Sequence, residues 1–152
     1  MKRGRGHTAN GRSEGSGQFV QIYYAMAQSD AFRSLSGPAV KVFIELRSRF
    51  HMKTKKQSNN GDISISLDEA KRLLHIGKTT AMRALVELEE KGFITKTKAG
   101  HWYGRMAATY ALTDRKCGSG PATNSWRNWQ PRENQKSVPR RNIFGPETEH
   151  IS

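Results

Sequence analysis

The fold is decided by residues 66–94, SLDEAKRLLHIGKTTAMRALVELEEKGFI. Ser66 and Glu69 fit a capping box, in which each side chain accepts a hydrogen bond from the backbone amide of the other residue. A capping box marks the start of a helix. The apolar stripe of this predicted helix consists of Leu67, Ala70, Leu73 and Leu74.

A second helix follows after a tight turn at residues 75–77. It runs from about Lys78 to Lys91, because Gly92 readily adopts the left-handed conformation that ends a helix. Its predicted buried face has the period of a helix and consists of Ala81, Ala84, Leu85 and Leu88. Two helices joined by so short a turn predict a helix-turn-helix unit.

The residues before this unit predict two more helices and a strand. Ser36 is an N-cap with Pro38 in the first turn, which indicates a helix over residues 37–50. A shorter helix is indicated by the spacing of Ile22, Tyr23, Met26 and Ala27. A very short strand is indicated by Ile63 and Ile65, which alternate with polar residues.

The residues after the unit predict a β-hairpin. Its strands are residues 93–98 and 105–112, and its glycine-bracketed tip is residues 99–104. A helix-turn-helix followed by a basic hairpin is the element order of a winged helix-turn-helix. We therefore expect an α+β fold with about four helices, one short strand and a C-terminal hairpin wing.

The same residues carry a resemblance to a known family. Residues 59–100 read NNGDISISLDEAKRLLHIGKTTAMRALVELEEKGFITKTKAG, and residues 66–94 are the most specific part. Within residues 19–112, this stretch resembles the winged-helix domains of phage and plasmid replication proteins, including the N-terminal domain of the lambda O type. It is also similar to small winged-helix regulators of bacterial mobile elements. The resemblance implies a DNA-binding domain that acts in transcription regulation or in replication initiation.

The composition points to a polyanionic partner. The 152 residues include 26 lysines and arginines against 13 acidic residues, a formal net charge of +13. Such an excess attracts nucleic acid through its electric field. Only 35% of the residues are hydrophobic, so part of the chain is expected to stay unfolded. We expect a disordered basic arm at residues 1–17, a DNA-binding domain at residues 18–114 and a mostly disordered tail at residues 115–152.

Membrane and secreted classes are excluded by what the sequence lacks. No apolar run approaches the ~18 residues of a membrane span, so we expect no membrane partner. The N-terminal residues have charges but no apolar segment of a secretory signal. Cys117 is the single cysteine, which suits a reducing compartment. We expect a cytoplasmic protein that is associated with the nucleoid when it binds DNA.

Enzymatic and metal chemistry are not indicated either. Residues 77–80, GKTT, imitate the end of a phosphate-binding loop, but Arg72 occupies the position of that motif's first glycine. The five histidines have no cysteine or carboxylate at ligand spacing, and Cys117 has no catalytic histidine at a recognisable spacing. We expect a protein that is not an enzyme and that needs no cofactor and no metal.

The second helix of the unit is the predicted recognition helix. The residues expected to contact DNA are Lys78, Thr79, Thr80 and Arg83. We expect Arg83 to read a base edge, because arginine can donate to the acceptors of the major groove. The threonines are expected to contact bases or a nearby phosphate. Glu87 also points outward in this prediction, and it makes the C-terminal half acidic together with Glu89 and Glu90. The alternative is an ordinary solvated helix face.

Three further groups of residues are predicted to bind. On the wing, phosphate contacts or minor-groove insertion are expected from Lys96, Lys98, His101 and Arg105, and the alternative is a solubilising strand edge. Flanking phosphate contacts are expected from Arg47, Arg49, Lys53, Lys55 and Lys56, and the alternative is a solvated insertion. In the tail, Trp126 and Trp129 are expected to dock on the domain or on a protein partner, or to stack on bases. The alternative for this pair is a disordered tail with chance aromatics.

These features predict sequence-specific binding of double-stranded DNA by a transcriptional regulator, a repressor, of a phage, plasmid or integrated element. An origin-binding replication initiator is the alternative function, but it would also need to recruit a helicase, and the short tail offers no second domain for that. The features also leave open a protein-interaction module and a sequence-indifferent DNA-compacting protein. Residues 19–26 are apolar enough to form a homodimer surface or to close the core of the monomer.

Overall fold

A computed structural model describes residues 19–101, 103 and 106–132, which form five α-helices and a three-stranded antiparallel sheet. The helices are α1 (Tyr24–Ala27), α2 (Asp30–Arg33), α3 (Gly37–Ser48), α4 (Leu67–Leu74) and α5 (Lys78–Glu90). The strands are β1 (Ile63–Ser64), β2 (Ile94–Lys98) and β3 (Thr109–Leu112), and a 3-10 turn covers Ser125–Asn128. The predicted α+β class is confirmed. Within the described ranges, no helix has the length and apolarity needed to cross a membrane.

The predicted helix boundaries follow from the capping residues. The Ser36 hydroxyl accepts from the amide of Ala39 at 3.3 Å, and α3 begins there. The capping box of α4 is formed, with the Ser66 hydroxyl 3.0 Å from the amide of Glu69 and a Glu69 carboxylate oxygen 2.9 Å from the amide of Ser66. α5 ends before Gly92, whose φ of +80° is the left-handed conformation expected of it.

One helix was missed by the sequence pattern. The expected short helix near Ile22–Ala27 is α1, but α2 follows it almost at once. The signal for α2 was its N-cap, Ser29, whose hydroxyl accepts from the amide of Phe32 at 3.1 Å. Met26 is buried and Ile22 packs against the core, so this segment closes the core of the monomer. A homodimer surface in this segment stays a prediction.

The sheet has the order β1-β3-β2, with β3 in the centre. Ile63 pairs with Tyr110 and Ile94 pairs with Leu112, which sets the register. An irregularity lies between Lys96 and Lys98 on β2. Beyond it the arms of the hairpin meet again in a single bridge between His101 and Met106. β3 is therefore shorter than the predicted strand at residues 105–112.

The core lies between the helices and the sheet. All four residues of the predicted apolar face of α5, from Ala81 to Leu88, are buried. Phe32, Phe43 and Phe93 meet edge to face, with ring centroids 5.4 to 6.2 Å apart. On α4 the prediction is wrong for Leu73, which is 43% exposed, because that short helix buries chiefly Ala70.

Part of the predicted disordered tail belongs to this core. Trp126 is buried and stacks on Phe93, with centroids 6.5 Å apart and planes 6° from parallel. The amide of Asn124 donates to the carbonyl of Thr113 at 2.8 Å. The prediction of disorder is therefore wrong for residues 115–132, because a large aromatic side chain anchors them. Residues 133–152 of the predicted tail, and the predicted arm at residues 1–17, lie outside the described residues.

Glu87 joins α5 to the start of α3 and does not point freely outward as predicted. Its carboxylate accepts from the backbone amide of Ser36 at 2.9 Å, from the hydroxyl of Ser36 at 2.6 Å and from Lys91 at 2.9 Å. Burial raises the pKa of Glu87, but the hydrogen bonds from Ser36 and Lys91 outweigh burial and bring the pKa below the ordinary 4.5. The carboxylate therefore stabilises the fold in its ionised form.

We expect Glu87→Gln to lower the free energy of unfolding by about 1 kcal/mol near neutral pH, because it removes charged hydrogen bonds. A folded-state pKa below the ordinary value means that this contribution is complete above 4.5 and is lost as the pH falls through the folded-state pKa. Thermal unfolding across that range should therefore show the two proteins converging at acidic pH. Glu90→Gln, on the exposed face of α5, is the matched control, and a gap that is constant with pH would contradict the prediction.

Candidate nucleic-acid interface

The outer face of α5 is the best-defined surface that the fold presents. α4 ends at His75 in the left-handed conformation, with φ 54°, and the chain turns through Ile76 into the N-cap Gly77 of α5. The packing of α5 buries one side of the helix against α3 and α4. The exposed side chains opposite this buried side are Thr79, Met82, Arg83, Val86 and Glu90.

Arg83 is the most available cation of this face. Its side chain is exposed, and it makes no hydrogen bond or ion pair with any described residue. Thr79 is exposed one turn earlier, whereas Thr80 is half-buried. Of the four residues predicted on the recognition helix, Arg83 and Thr79 are thus the most accessible to a partner.

Lys78, at the first position of α5, is already paired. Its ammonium lies 2.5 Å from a carboxylate oxygen of Asp68 in the first turn of α4, and both side chains are largely exposed. The hydrogen bond from Lys78 and its charge lower the pKa of Asp68, and Lys71 adds to this effect. Exposed ion pairs of this kind are worth about 0 to 1 kcal/mol, so the lysine can exchange its partner for a phosphate.

Sequence reasoning missed two basic residues on α4. Lys71 and Arg72 are exposed and make no ion pair with any described residue. Their position in the sequence could have indicated their exposure. Both lie between the apolar residues Ala70 and Leu73 of a helix that borders α5. They add two exposed cations near Lys78, because both lie one helical turn after Asp68, the partner of Lys78.

The predicted wing residues lie beside acidic groups from other elements. Lys96 is 3.8 Å from Glu89 on α5, and Lys98 is 3.8 Å from Asp62, which precedes β1. His101 is exposed near the hairpin tip. Arg105, the fourth predicted wing residue, lies outside the described residues. The hairpin itself contains no acid, but the tertiary structure brings two carboxylates to it.

The predicted flanking cluster divides into buried and exposed residues. Arg47 is only 5% exposed, and its guanidinium Nη1 lies 2.6 to 2.7 Å from the carboxylate oxygens of Asp114. The interpretation of Arg47 as a phosphate contact is therefore wrong, because the side chain neutralises a buried carboxylate. Arg49 is half-buried and is held by Glu45 at 2.9 Å and by the carbonyl of Ser64 at 2.7 Å.

The lysines of the same cluster are on the surface. Lys53 lies 4.0 Å from Asp62 and is half exposed. Lys55 and Lys56 are exposed and make no ion pair with the rest of the described chain. Their phosphate contacts stay a prediction.

The tryptophans belong to the domain surface and interior. Trp126 is buried and therefore docks on the domain, which was one of the expected possibilities. Its ring is not available to stack on bases. Trp129 is half-buried under the Lys91 ammonium, which lies 5.3 Å from the ring centroid.

A groove of about 1010 Å³ separates α5 from the hairpin. Its apolar lining includes Leu67, Met82, Val86 and Met106, and Lys96 and Glu89 lie at its side. Burial raises the pKa of Tyr110 in this groove, and the nearby Glu89 carboxylate raises it further. Sequence reasoning did not single out Met82 or Val86. The available signal was that both are apolar residues outside the buried stripe of α5.

No group of three histidine, cysteine, aspartate or glutamate side chains within the described ranges is arranged to hold a metal ion. Comparisons with protein-family models, with curated proteins and with solved structures found no match for this chain.

Proposed function

We propose that this protein binds specific sites on double-stranded DNA through a winged helix-turn-helix, in which α5 is the recognition helix and the β2–β3 hairpin is the wing. The element order supports this proposal, since α4, a three-residue turn and α5 are followed directly by the hairpin. β1 pairs with β3 and completes a small sheet that holds the hairpin beside α5. The biological role that we propose is repression of transcription on a phage, plasmid or integrated element.

The observation that carries the proposal is the free guanidinium of Arg83. It lies in the second turn of α5, on the face opposite the core, with no partner in the described chain. Arginine at such a position can donate two hydrogen bonds to O6 and N7 of guanine in the major groove. The N-terminal half of a recognition helix is also the part that reads bases in helix-turn-helix complexes.

The charge of the domain gives independent support. Residues 19–132 hold 19 of the 26 lysines and arginines and 9 of the 13 acidic residues, which is a net charge of +10. The excess therefore belongs mainly to residues 19–132. A positive field of this size steers a protein to DNA and supplies affinity that does not depend on sequence.

The functional test is selection of bound fragments from a random duplex library by the full chain, followed by sequencing. We expect a recovered motif, and a motif that lies at a promoter supports repression. A motif that lies in the repeats of a replication origin would overturn the proposed repression and support replication initiation. Recovery of fragments with no shared motif would overturn specific recognition.

We expect Arg83→Ala and Lys98→Ala to affect binding differently. Loss of Arg83 should remove about 1 to 3 kcal/mol of discrimination at one base pair, because a bidentate base contact is lost. Loss of Lys98 should weaken all sequences alike and reduce the salt dependence by about one phosphate contact. Titration of the selected duplex and of a scrambled duplex at several salt concentrations measures both effects.

Arg33→Ala is the matched control for this pair of variants. Arg33 is an exposed arginine of α2 that makes no ion pair with any described residue, and it lies outside the proposed interface. Its replacement should change neither discrimination nor salt dependence. Equal losses on the selected and scrambled duplexes for Arg83→Ala would contradict its assignment as a base reader.

A further inference from the structure

Two apolar side chains are exposed on the face of α5 that carries Arg83. Met82 is 51% exposed and Val86 is 46% exposed, although the same helix buries four other apolar residues completely or almost so. Neither residue belongs to the core. Exposure of either side chain to water is unfavourable. Together with Leu67 and Met106 they line one groove, and an apolar groove on a protein surface is a sign of contact with a partner.

The spacing of the two side chains along α5 is close to the spacing of base pairs along the major groove. At about 100° per residue, Met82, Arg83 and Val86 fall within an arc of about 100° on the helix. Met82 and Val86 are four residues apart, which is a rise of about 6 Å. This distance is a little less than two base-pair steps of about 3.4 Å each.

We propose that Met82 and Val86 recognise the C5-methyl groups of thymines, so that the DNA site carries thymine within two base pairs of the guanine read by Arg83. The thymine methyl is the apolar group that the major groove displays, and apolar side chains are its natural contacts. This inference rests on the proposed function, because it requires α5 to lie in the major groove. It names the bases that the two residues select.

The charges around the pair favour DNA over an apolar protein segment as the occupant. Arg83 is unpaired beside the two residues, and the domain has a net charge of +10. The acids that line the groove face lysines, since Glu89 lies 3.8 Å from Lys96 and Asp68 lies 2.5 Å from Lys78. Glu90, at the C-terminal end of α5, is exposed on the same face and makes no ion pair with any described residue. The N-terminal half of α5, with Met82 and Arg83, is therefore the part of this face that is complementary to a polyanion.

The test replaces single thymines of the selected duplex by uracil, which removes only the methyl group. The probe is the synthetic duplex of the sequence recovered by selection, bound to the unaltered 152-residue chain. We expect affinity to fall about fourfold at each contacted thymine, which corresponds to the ~0.8 kcal/mol of one buried methyl-sized group. Because only the DNA is changed, the stability of the protein does not enter the result.

The variants Met82→Ser and Val86→Ser assign the contacts to residues. Each should bind the thymine duplex about fourfold more weakly and lose its sensitivity to uracil at one position. Ile44→Ser is the matched control, because Ile44 is 40% exposed on α3 and lies outside the groove. It should keep the full response to uracil.

The outcomes separate this inference from the function on which it rests. Selection without a motif would overturn specific DNA recognition itself. A clear motif whose thymines can all be replaced by uracil without loss would overturn the methyl contacts and leave DNA recognition standing. The methyl contacts would also be overturned if both serine variants responded to uracil as the unaltered protein does, and the apolar pair would then be assigned to a protein partner.

Discussion

Replacing Asp114 by alanine is expected to lower the free energy of unfolding by about 3 to 5 kcal/mol, because it leaves the Arg47 guanidinium as an unpaired charge in the protein interior. Both side chains are almost completely buried, and the Arg47 Nη1 atom lies 2.6 Å from the nearer carboxylate oxygen of Asp114. Arg47 also donates to the backbone carbonyl of Gln21. Denaturant unfolding of the variant and the unaltered protein measures the difference.

Asp62→Ala is the matched control for this prediction. Asp62 is largely exposed and lies 3.8 to 4.0 Å from its lysine partners, so its removal should cost no more than about 1 kcal/mol. The double variant Arg47→Met with Asp114→Leu should be more stable than either single variant, since apolar side chains can replace a buried ion pair. A loss of less than about 1 kcal/mol for Asp114→Ala would show that the charges are not isolated from water.

Trp126→Ala is expected to lower the free energy of unfolding by about 3 to 5 kcal/mol, because it empties a large site in the core. The indole stacks on Phe93, which in turn packs edge to face on Phe43. The backbone around Trp126 also lies close to Gly92, where an added Cβ atom would be 2.6 Å from the carbonyl carbon of Ser125. Calorimetric unfolding of the variant and of the unaltered chain measures the loss.

Trp129→Ala is the control with the same chemical change at a half-buried site. It should cost ~1 kcal/mol, mainly the cation–π contact with Lys91. If both variants lost equally little free energy of unfolding, the segment after β3 would not be part of the cooperative core. Both tryptophans lie away from the outer face of α5, so neither variant should alter base discrimination once the folded fraction is taken into account.

The stabilising residues of this protein are thus separable from the residues proposed to recognise DNA. Asp114 and Trp126 hold residues near the end of the described chain against the core. Arg83, Met82 and Val86 contribute to the outer face of α5 and not to its buried stripe. Variants of the two groups should therefore change different measurements, unfolding for the first and DNA discrimination for the second.

The local sequence by itself determined where α3 and α4 begin and where α5 ends. The Ser36 cap, the capping box at Ser66 and the left-handed Gly92 act within four residues of their partners, so each can be read from the printed sequence. The buried stripe of α5 follows from helical period alone. The same reasoning identified Arg83 as an outward-facing residue, because exposure on a helix is also periodic.

Only the tertiary structure decided which charges are free. Arg47 and Asp114 are 67 residues apart, and Ser36 and Glu87 are 51 apart, yet each pair is in direct contact. A basic residue that contacts phosphate and one that neutralises a buried carboxylate look alike in sequence. Trp126 is a second case, since a polar, proline-containing neighbourhood favours disorder until a distant aromatic residue offers it a stacking surface. Contacts between distant residues depend on packing, which no local pattern specifies.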